Sequence, residues 1–382
     1  MLKNKSQKPN KKAILGSIGK IDLPFLVLTL ILLVFGLIMV ASASYVASYY
    51  EHDGDSYYYI KRQIIFAIIG IVVMFGVAFF DYHKFKKFAF LLLCASVIML
   101  ILVLIPGIGI KVDGARRWLN FGIQFQPSEI GKFAIILAFS SYISANYKQM
   151  DKFKVGYLPL LLTLGVVVGL VAVETHLSGA ILILGIGVIM MFVGGVKPLY
   201  LFVTGGMGAC GLGVLLFATN YMKARVDMWL DPYSASQQGG YQIIQSLYAI
   251  GSGGLTGLGL FQSRQKHLYL PKPYNDYVFS IAAEELGLIG AVLIILLFVM
   301  LIWRGFVIAF HSRDKFGAML VIGIVSRVAV QTILNIAVVT NAIPSTGIGL
   351  PFFSYGGTAL VMLMFELGVV LSVSRFSYLE KS

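Results

Sequence analysis

An aspartate at the end of a long polar segment is the first candidate for chemistry in this chain. Asp276 follows Pro271 and Pro273 and directly precedes an apolar run. A carboxylate at such a boundary is partly desolvated, which raises its pKa towards the range of a general base. The alternative is that Asp276 caps the helix that follows. Its position alone favours the cap, and the two roles can coexist.

Other ionisable residues lie within apolar runs. Glu129 and Lys132 are three residues apart and share one helix face if the run is helical. Because a lone charge in an apolar run is costly, an ion pair is one reading, and extension of both side chains to the interface is the other. Arg327 and Glu366 could form a second bridge. These charges, with Glu284 and Glu285, fit either a functional site or a mutually satisfied structural network.

A basic and aromatic segment precedes Glu129. Arg116 and Arg117 carry guanidinium forks that suit phosphate oxygens. Trp118 suits either a sugar face or the head-group belt of a bilayer. The interfacial reading is at least as well supported by the sequence.

The amino-acid composition indicates the class of fold that positions these residues. The chain has 382 residues, of which 58% are hydrophobic and 12% charged, whereas soluble domains carry about 25% charged residues. Most of the chain must therefore face lipid. The net charge of +13 lies in short segments between apolar runs, which favours anionic lipid and membrane topology over nucleic acid. No P-loop, Rossmann or zinc motif is present, so nucleotide use is not expected.

Ten apolar runs approach the length of about 20 residues that a membrane helix needs. They begin near Leu23, Gln63, Phe88, Ser128, Tyr157, Ser178, Leu199, Tyr277, Gly317 and Ser354. With a cytoplasmic N-terminus, the cytoplasmic segments hold more Lys and Arg than the outer ones, as the positive-inside rule requires. The expected fold is therefore an all-α polytopic membrane protein with about ten transmembrane helices and both termini in the cytoplasm.

The predicted organisation is a basic cytoplasmic segment (1–22), a membrane domain (23–376) and a cytoplasmic tail (377–382). A large extracellular loop (220–276) joins the seventh and eighth helices, and its segment 241–250 has the pattern of an amphipathic helix. The last outer loop, 341–353, contains prolines and glycines but no charge. Its backbone is expected to be re-entrant or to line a cavity, with a tight apolar turn as the alternative.

Several motifs together resemble the SEDS family of shape, elongation, division and sporulation proteins. The resemblance covers nearly the whole chain and lies closer to the FtsW branch than to the RodA branch. The motifs are Arg117-Trp118-Leu119-Asn120, Gln126-Pro127-Ser128-Glu129, Gly240-Tyr241-Gln242, Asp276 with Ala283-Glu284-Glu285-Leu286-Gly287, and Pro351-Phe352-Phe353-Ser354-Tyr355-Gly356-Gly357.

The resemblance implies a peptidoglycan glycosyltransferase of the cytoplasmic membrane. Such proteins polymerise lipid II on the extracytoplasmic side, here for the division septum, together with a class B penicillin-binding protein and other divisome proteins. Asp276 matches the family's essential aspartate, and Glu129 and Lys132 match its buried pair. The chain departs from the family at Tyr274-Asn275, where His-Thr is usual, and at Glu174-Thr175-His176, where a Gln-Pro-Asp type motif is common.

The implied mechanism needs a base and cations. Asp276 would take a proton from the attacking sugar hydroxyl, and outer basic residues would hold the pyrophosphates. The expected substrate-binding residues are Arg116, Arg117, Trp118, Lys266, Ser354, Gly356 and Gly357. A divalent cation, Mg²⁺ or Mn²⁺, could share the charge, with no ligands assigned. The competing functions are a flippase for lipid-linked precursor and a non-catalytic division scaffold.

Overall fold

The computed structural model describes residues 19–112, 115–120, 124–174, 176–218, 220–233 and 240–377. Most of these residues lie in α-helices. The helices are α1 (Leu23–Glu51), α2 (Tyr58–Phe79), α3 (Phe85–Leu104), α4 (Pro127–Asn146), α5 (Leu158–Val173), α6 (Leu177–Val193), α7 (Pro198–Ala218), α8 (Asn220–Leu230), α9 (Gly240–Ser252), α10 (Val278–Phe310), α11 (Lys315–Val339) and α12 (Gly357–Arg375). The basic segment predicted for 1–22 and the tail at 377–382 fall almost entirely outside the described residues.

Each of the ten predicted apolar runs coincides with a helix. Within the described residues, seven helical stretches are long and apolar enough to cross a membrane: those of α1, α2, α3, α5, α10, α11 and α12. The predicted starts differ from the observed ones by up to five residues, as for α2, which begins at Tyr58 and not Gln63. The hydropathy of a sequence marks only the part of a helix that faces lipid. The first turn of α2 is polar, so the helix begins before its apolar run does.

A small β-sheet corrects the all-α expectation. Strands β1 (Ile110–Val112), β2 (Ala115–Asn120) and β3 (Gln124–Phe125) pair antiparallel in the order β1-β2-β3. They occupy the basic and aromatic segment before Glu129, for which the sequence predicted no strands. The signal was weak because the strands are short and polar, with only brief alternation of side chains.

The centre of the molecule is formed by α4, α11 and α12, and α2 packs along α12. The close approach of α2 and α12 depends on a glycine. A Cβ atom on Gly368 would lie 2.6 Å from the carbonyl oxygen of Met74. Small residues at such contacts allow two helix backbones to pack closely in a membrane.

Helix α10 is interrupted where the large loop docks against it. Gly287 has a left-handed φ of 67°, and the freed backbone groups pair with the loop. Leu258 N donates to Glu284 O at 3.0 Å, and Leu288 N donates to Gly254 O at 2.9 Å. Broken helices are tolerated at membrane depth only where such groups are re-satisfied. The loop therefore fixes the first turns of α10, which follow Asp276.

The amphipathic helix predicted at 241–250 is confirmed as α9. Its Ser246 Oγ lies 2.7 Å from Ser280 Oγ of α10 and donates to Val339 O of α11 at 2.7 Å. These buried hydrogen bonds hold the middle of the large loop against the membrane helices.

Candidate active site

A cavity of about 240 Å³ brings most of the predicted site residues together. Its walls come from the β-sheet, the start of α4, the start of α6, the segment before α10 and the last outer loop. The residues that line it and matter for chemistry are Arg117, Trp118, Glu129, Lys132, His176, Asp276, Arg327, Ser354 and Gly356. The sequence places these residues up to about two-thirds of the chain apart, so tertiary packing assembles the site.

Asp276 is half-buried at the cavity wall and is held by its backbone. The buried side chain of Asn335 donates from Nδ2 to Asp276 O at 2.8 Å and to Ile348 O at 2.7 Å. A Cβ atom on Gly347 would lie 3.4 Å from Asp276 Oδ2, so the last outer loop passes directly over the carboxylate. The loop therefore lines a cavity, as its composition predicted.

The N-cap alternative for Asp276 is wrong in this structure. Helix α10 begins at Val278 after Tyr277, and no side-chain hydrogen bond caps it. The N-cap position therefore falls on Tyr277, one residue after Asp276. The carboxylate is thus directed to the cavity wall and does not serve as the cap.

The two neighbouring arginines of β2 differ in their relation to the cavities. Arg117 and Trp118 line the first cavity, whereas Arg116 is not among the residues that line the first or the second cavity. The structure therefore supports Arg117 as a cavity residue and separates Arg116 from it.

A buried network of four charges lies beneath the cavity. Lys132 Nζ contacts Glu129 Oε1 at 2.6 Å, and Arg327 Nη2 contacts Glu129 Oε2 at 2.7 Å. Arg327 also forms an ion pair with Glu366 through Nη1. The expected Glu129–Lys132 pair and the bridge between Arg327 and Glu366 are both present. Two anions and two cations cancel, which is the condition for charges at this depth.

His176, which lines the first cavity, and the nearby Glu174 lie between α5 and α6, and the sequence assigned neither of them a role. Glu174 is only 2% exposed, and burial raises the pKa of its carboxyl to about 8 against the opposing effect of Arg117. Burial, followed by the charges of Arg117 and Lys132, lowers the pKa of His176 to about 3. His176 therefore presents a neutral imidazole to the cavity at neutral pH.

The only sequence signal for this pair was an acid and a histidine within an otherwise apolar hairpin. The His176 ring lies against Gly179, where a Cβ atom would be only 2.3 Å from His176 Cδ2. The ring therefore packs flat against the first turn of α6.

A second cavity of about 580 Å³ continues from the first between α2, the β-sheet and the start of α12. Trp118, Tyr355 and Gly356 line both. Ile65, Phe66 and Gly357 give it an apolar side, and Arg62 a basic one. Gly356 and Gly357, both predicted as substrate-binding residues, line this second cavity.

Ser354 is placed at the rim of the first cavity by its own loop. Its Oγ accepts a hydrogen bond from Leu350 N at 2.7 Å, and Gln63 of α2 donates to its carbonyl oxygen at 3.3 Å. Gly356 N donates to Gln63 Oε1 at 3.2 Å. One buried glutamine on α2 thereby fixes the loop that separates the two cavities.

Lys266 is placed differently from the expectation that it binds substrate. It is 3% exposed, and its Nζ contacts Glu285 Oε1 at 3.0 Å and Ser42 Oγ at 3.1 Å. It lines neither cavity. A cation this deeply buried needs a carboxylate partner, and Glu285 supplies it. Glu284 accepts a hydrogen bond from Arg264 N at 3.0 Å. Together, Glu284 and Glu285 form a structural network that anchors the large loop.

The described residues do not form a protein-built metal site. They contain no group of three or more histidine, cysteine, aspartate or glutamate side chains placed to hold an ion. Both oxygens of Glu129 are taken by Lys132 and Arg327, and Asp276 is the other carboxylate that lines the first cavity.

Fold and site together define a multi-pass helical membrane protein with a polar cavity above a buried charge network. Residues 23–379 match the cell cycle protein family FTSW_RODA_SPOVE, and the chain belongs to that family. The resemblance drawn from the motifs is confirmed. Stage V sporulation protein E of Bacillus subtilis is 42% identical over 360 residues, covering 93% of this chain and 97% of that protein.

Further relatives agree with this assignment. A probable peptidoglycan glycosyltransferase FtsW of Geobacter metallireducens is 36% identical over 370 residues, covering 96% of this chain and 97% of that protein. A chain of a peptidoglycan synthase complex that coordinates polymerization and crosslinking has a TM-score of 0.78 at 28% identity, with coverage of 94% and 98%. The rod shape determining protein RodA of Thermus thermophilus has a TM-score of 0.68 at 26% identity, with the same coverage.

Proposed function

We propose that this chain is a peptidoglycan glycosyltransferase that polymerises lipid II into glycan strands for the division septum. The observation that carries the proposal is that Asp276, Arg117 and Lys132 line one cavity. A carboxylate beside cations is what a transfer of a sugar from a pyrophosphate carrier needs. Relatives named as FtsW glycosyltransferases support the same reaction.

In this reaction a sugar hydroxyl attacks the anomeric carbon of the donor. Asp276 accepts the hydroxyl proton as the new C–O glycosidic bond forms, and the bond between the anomeric carbon and the pyrophosphate oxygen breaks. Base catalysis of this kind contributes roughly 10²–10⁴-fold. The pyrophosphate leaves without a general acid because the guanidinium of Arg117, which lines the cavity, stabilises its negative charge.

The second cavity is the proposed binding site of the polyprenyl carrier. A lipid-linked sugar must keep its tail in the bilayer while its head group reaches the carboxylate. Ile65 and Phe66 line this cavity on one side, and Arg62 and Trp118 line it towards the first cavity. An apolar groove that leads to a basic, aromatic wall suits a prenyl chain followed by a pyrophosphate and a sugar.

The topology of the proposal has ten membrane spans, with both termini in the cytoplasm. The helices α4, α6 and α7 then cross the membrane together with the seven long apolar helices. The segment between α7 and α10 lies outside the cell, where lipid II is polymerised. Asp276 at the end of this segment places the active site on the extracytoplasmic face.

The proposed partner is a class B penicillin-binding protein, with other division proteins. A solved chain similar to this one belongs to a complex that couples polymerization to crosslinking. A partner transpeptidase would receive the new strand on the same face. Because one carboxylate and substrate phosphates are enough to bind Mg²⁺, Asp276 and the pyrophosphate could also share a divalent cation, Mg²⁺ or Mn²⁺.

The test is gel analysis of products from purified full-length protein and lipid II in detergent, with Asp276→Asn beside the wild type. We expect glycan strands from the wild type, and a loss of at least a hundredfold with Asp276→Asn. Detergent has no second compartment, so a flippase would make no product. A scaffold would make none either, and full activity of Asp276→Asn would refute the role of the carboxylate. Repeating the assay with EDTA tests the cation.

A further inference from the structure

The outer end of α1 and the turn that follows carry an unusual set of exposed aromatic side chains. Tyr45, Tyr49, Tyr50 and Tyr57 are 43–68% exposed, and they are called the tyrosine ledge below. From the geometry we infer that the tyrosine ledge binds the growing glycan strand, a chain of N-acetylated amino sugars, as it leaves the cavity. This inference rests on the proposed polymerase function and extends it to a second carbohydrate site.

The ledge lies beyond the hydrocarbon part of the bilayer. Helix α1 has 29 residues, which at 1.5 Å per residue is about 44 Å. A bilayer core is about 30 Å thick. Since α1 begins at Leu23, its last two turns extend past the lipid tails and carry Tyr45, Tyr49 and Tyr50 into the head-group layer and the water beyond it. Depth alone fits both an aromatic belt and a carbohydrate site, so the composition of the surface decides between them.

The chemistry of the ledge differs from that of a lipid-facing surface. Within residues 41–63, all of which the structure describes, the exposed large hydrophobic side chains are the four ledge tyrosines. The neighbouring helix α2 instead exposes aliphatic residues such as Ile65 and Ile68. A tyrosine offers an apolar ring face and a polar hydroxyl, which matches the apolar face and hydroxyl rim of a sugar.

The charge of the segment argues against a phospholipid ligand. Residues 41–60 contain three carboxylates and no lysine or arginine, although the chain as a whole carries a net charge of +13. Glu51 and Asp53 are exposed, whereas Asp55 is neutralised by Lys61 at 3.1 Å. Anionic head groups are attracted by basic segments. Glu51 already accepts hydrogen bonds from Tyr59 and Tyr274, so the exposed carboxylate of Asp53 is the acceptor that suits the hydroxyl and amide donors of amino sugars.

Aromatic contacts connect the ledge to the cavities. Tyr57, Tyr58 and Tyr59 are consecutive, and the Tyr58 and Tyr59 rings lie 5.5 Å apart. The Arg62 guanidinium lies 4.4 Å from the centre of the Tyr58 ring and lines the second cavity. The Tyr59 ring meets Tyr355 edge-on at 4.9 Å, and Tyr355 lines both cavities. The ledge is therefore continuous with the site at which the glycosidic bond would form.

The inner end of this path is held by a carboxylate. Tyr274, two residues before Asp276, donates from its hydroxyl to Glu51 Oε2 at 3.0 Å and stacks on Tyr59 at 4.3 Å. Tyr355 N donates to Tyr274 O at 2.8 Å. The segment that carries the base and the segment that carries the ledge thus form one packed unit, which fixes the direction from the cavity to the ledge.

Binding is tested with the β-1,4-linked tetramer of N-acetylglucosamine and the full-length protein in nanodiscs, by saturation-transfer NMR titration. The variant is Tyr49→Ala/Tyr50→Ala/Tyr57→Ala. The matched control is Tyr248→Ala/Tyr269→Ala, two tyrosines of the large loop that are 50% and 56% exposed. We expect the ledge variant to bind at least roughly tenfold more weakly and the control to bind as the wild type does. Equal affinity of all three proteins would overturn the inference.

A second measurement separates the ledge from the proposed polymerase activity. With lipid II as substrate, the ledge variant should release shorter strands than the wild type, and the control variant strands of normal length. Wild-type length from the ledge variant would overturn the ledge but leave the polymerase intact. No product from the wild type would refute the polymerase, while the tetramer titration would still decide the ledge. Unchanged tetramer binding with loss of transpeptidase co-purification would assign the ledge to a protein partner instead.

Discussion

Removing one carboxylate from the buried network should strongly destabilise the protein. Glu129 holds two cations, with Lys132 Nζ at 2.6 Å and Arg327 Nη2 at 2.7 Å. The variant Glu129→Gln leaves Lys132 and Arg327 against Glu366 alone, so the site gains a net positive charge. Deleting one partner of a buried pair costs about 3–5 kcal/mol, because the remaining charge stays desolvated without compensation.

The double variant Glu129→Gln/Lys132→Met makes the prediction specific. It removes one anion and one cation, and the ion pair of Arg327 with Glu366 remains. The site is then neutral again. We expect the double variant to lose less stability than the sum of the two single variants by about 2 kcal/mol, within the range for residues in one salt-bridge network.

The assay is reversible unfolding of the purified protein in mixed micelles with increasing SDS, followed by circular dichroism. Lys61→Met is the control, because Lys61 is exposed and its pair with Asp55 lies at the surface, where ion pairs contribute little. The free energies of unfolding of the four network proteins complete the cycle. If the losses of the single variants simply add in the double variant, the charges do not act as a network and the reasoning fails.

Two further predictions concern the hairpin between α5 and α6. Gly179→Ala should displace the His176 ring, since the new Cβ would lie 2.3 Å from His176 Cδ2, and should lower the polymerisation rate by roughly ten- to a hundredfold. The control Gly185→Ala, whose Cβ meets only Val330 at 3.5 Å, should leave the rate unchanged. Equal rates for the two variants would contradict the placement of His176. Because burial raises the pKa of Glu174 from 4.5 to about 8, the folded protein holds a proton that the unfolded chain releases, so stability falls as pH rises from 4.5 to 8. Melting curves across this window should show a shallower fall for Glu174→Gln, and parallel curves for the two proteins would count against the buried carboxyl.

Features that depend on neighbouring residues were predictable from the sequence. The ten apolar runs are helical because long apolar segments must satisfy their backbone groups internally. The pair of Glu129 and Lys132 follows from helix geometry, since residues three apart share one face. The helix α9 follows from its amphipathic pattern and the glycines after it. In each case the physical cause lies within a few residues of chain, which the order of amino acids specifies directly.

Features that depend on distant residues were decided only by tertiary structure. The sequence predicted Lys266 as a substrate-binding cation, but the structure buries it beside Glu285. Arg116 and Arg117 were predicted together as substrate-binding residues, but only Arg117 lines a cavity. His176 had no assigned role until folding placed it in the same cavity as Asp276. The identity of a charged side chain states what it can bind, but only packing determines which partner lies within reach and whether water is excluded.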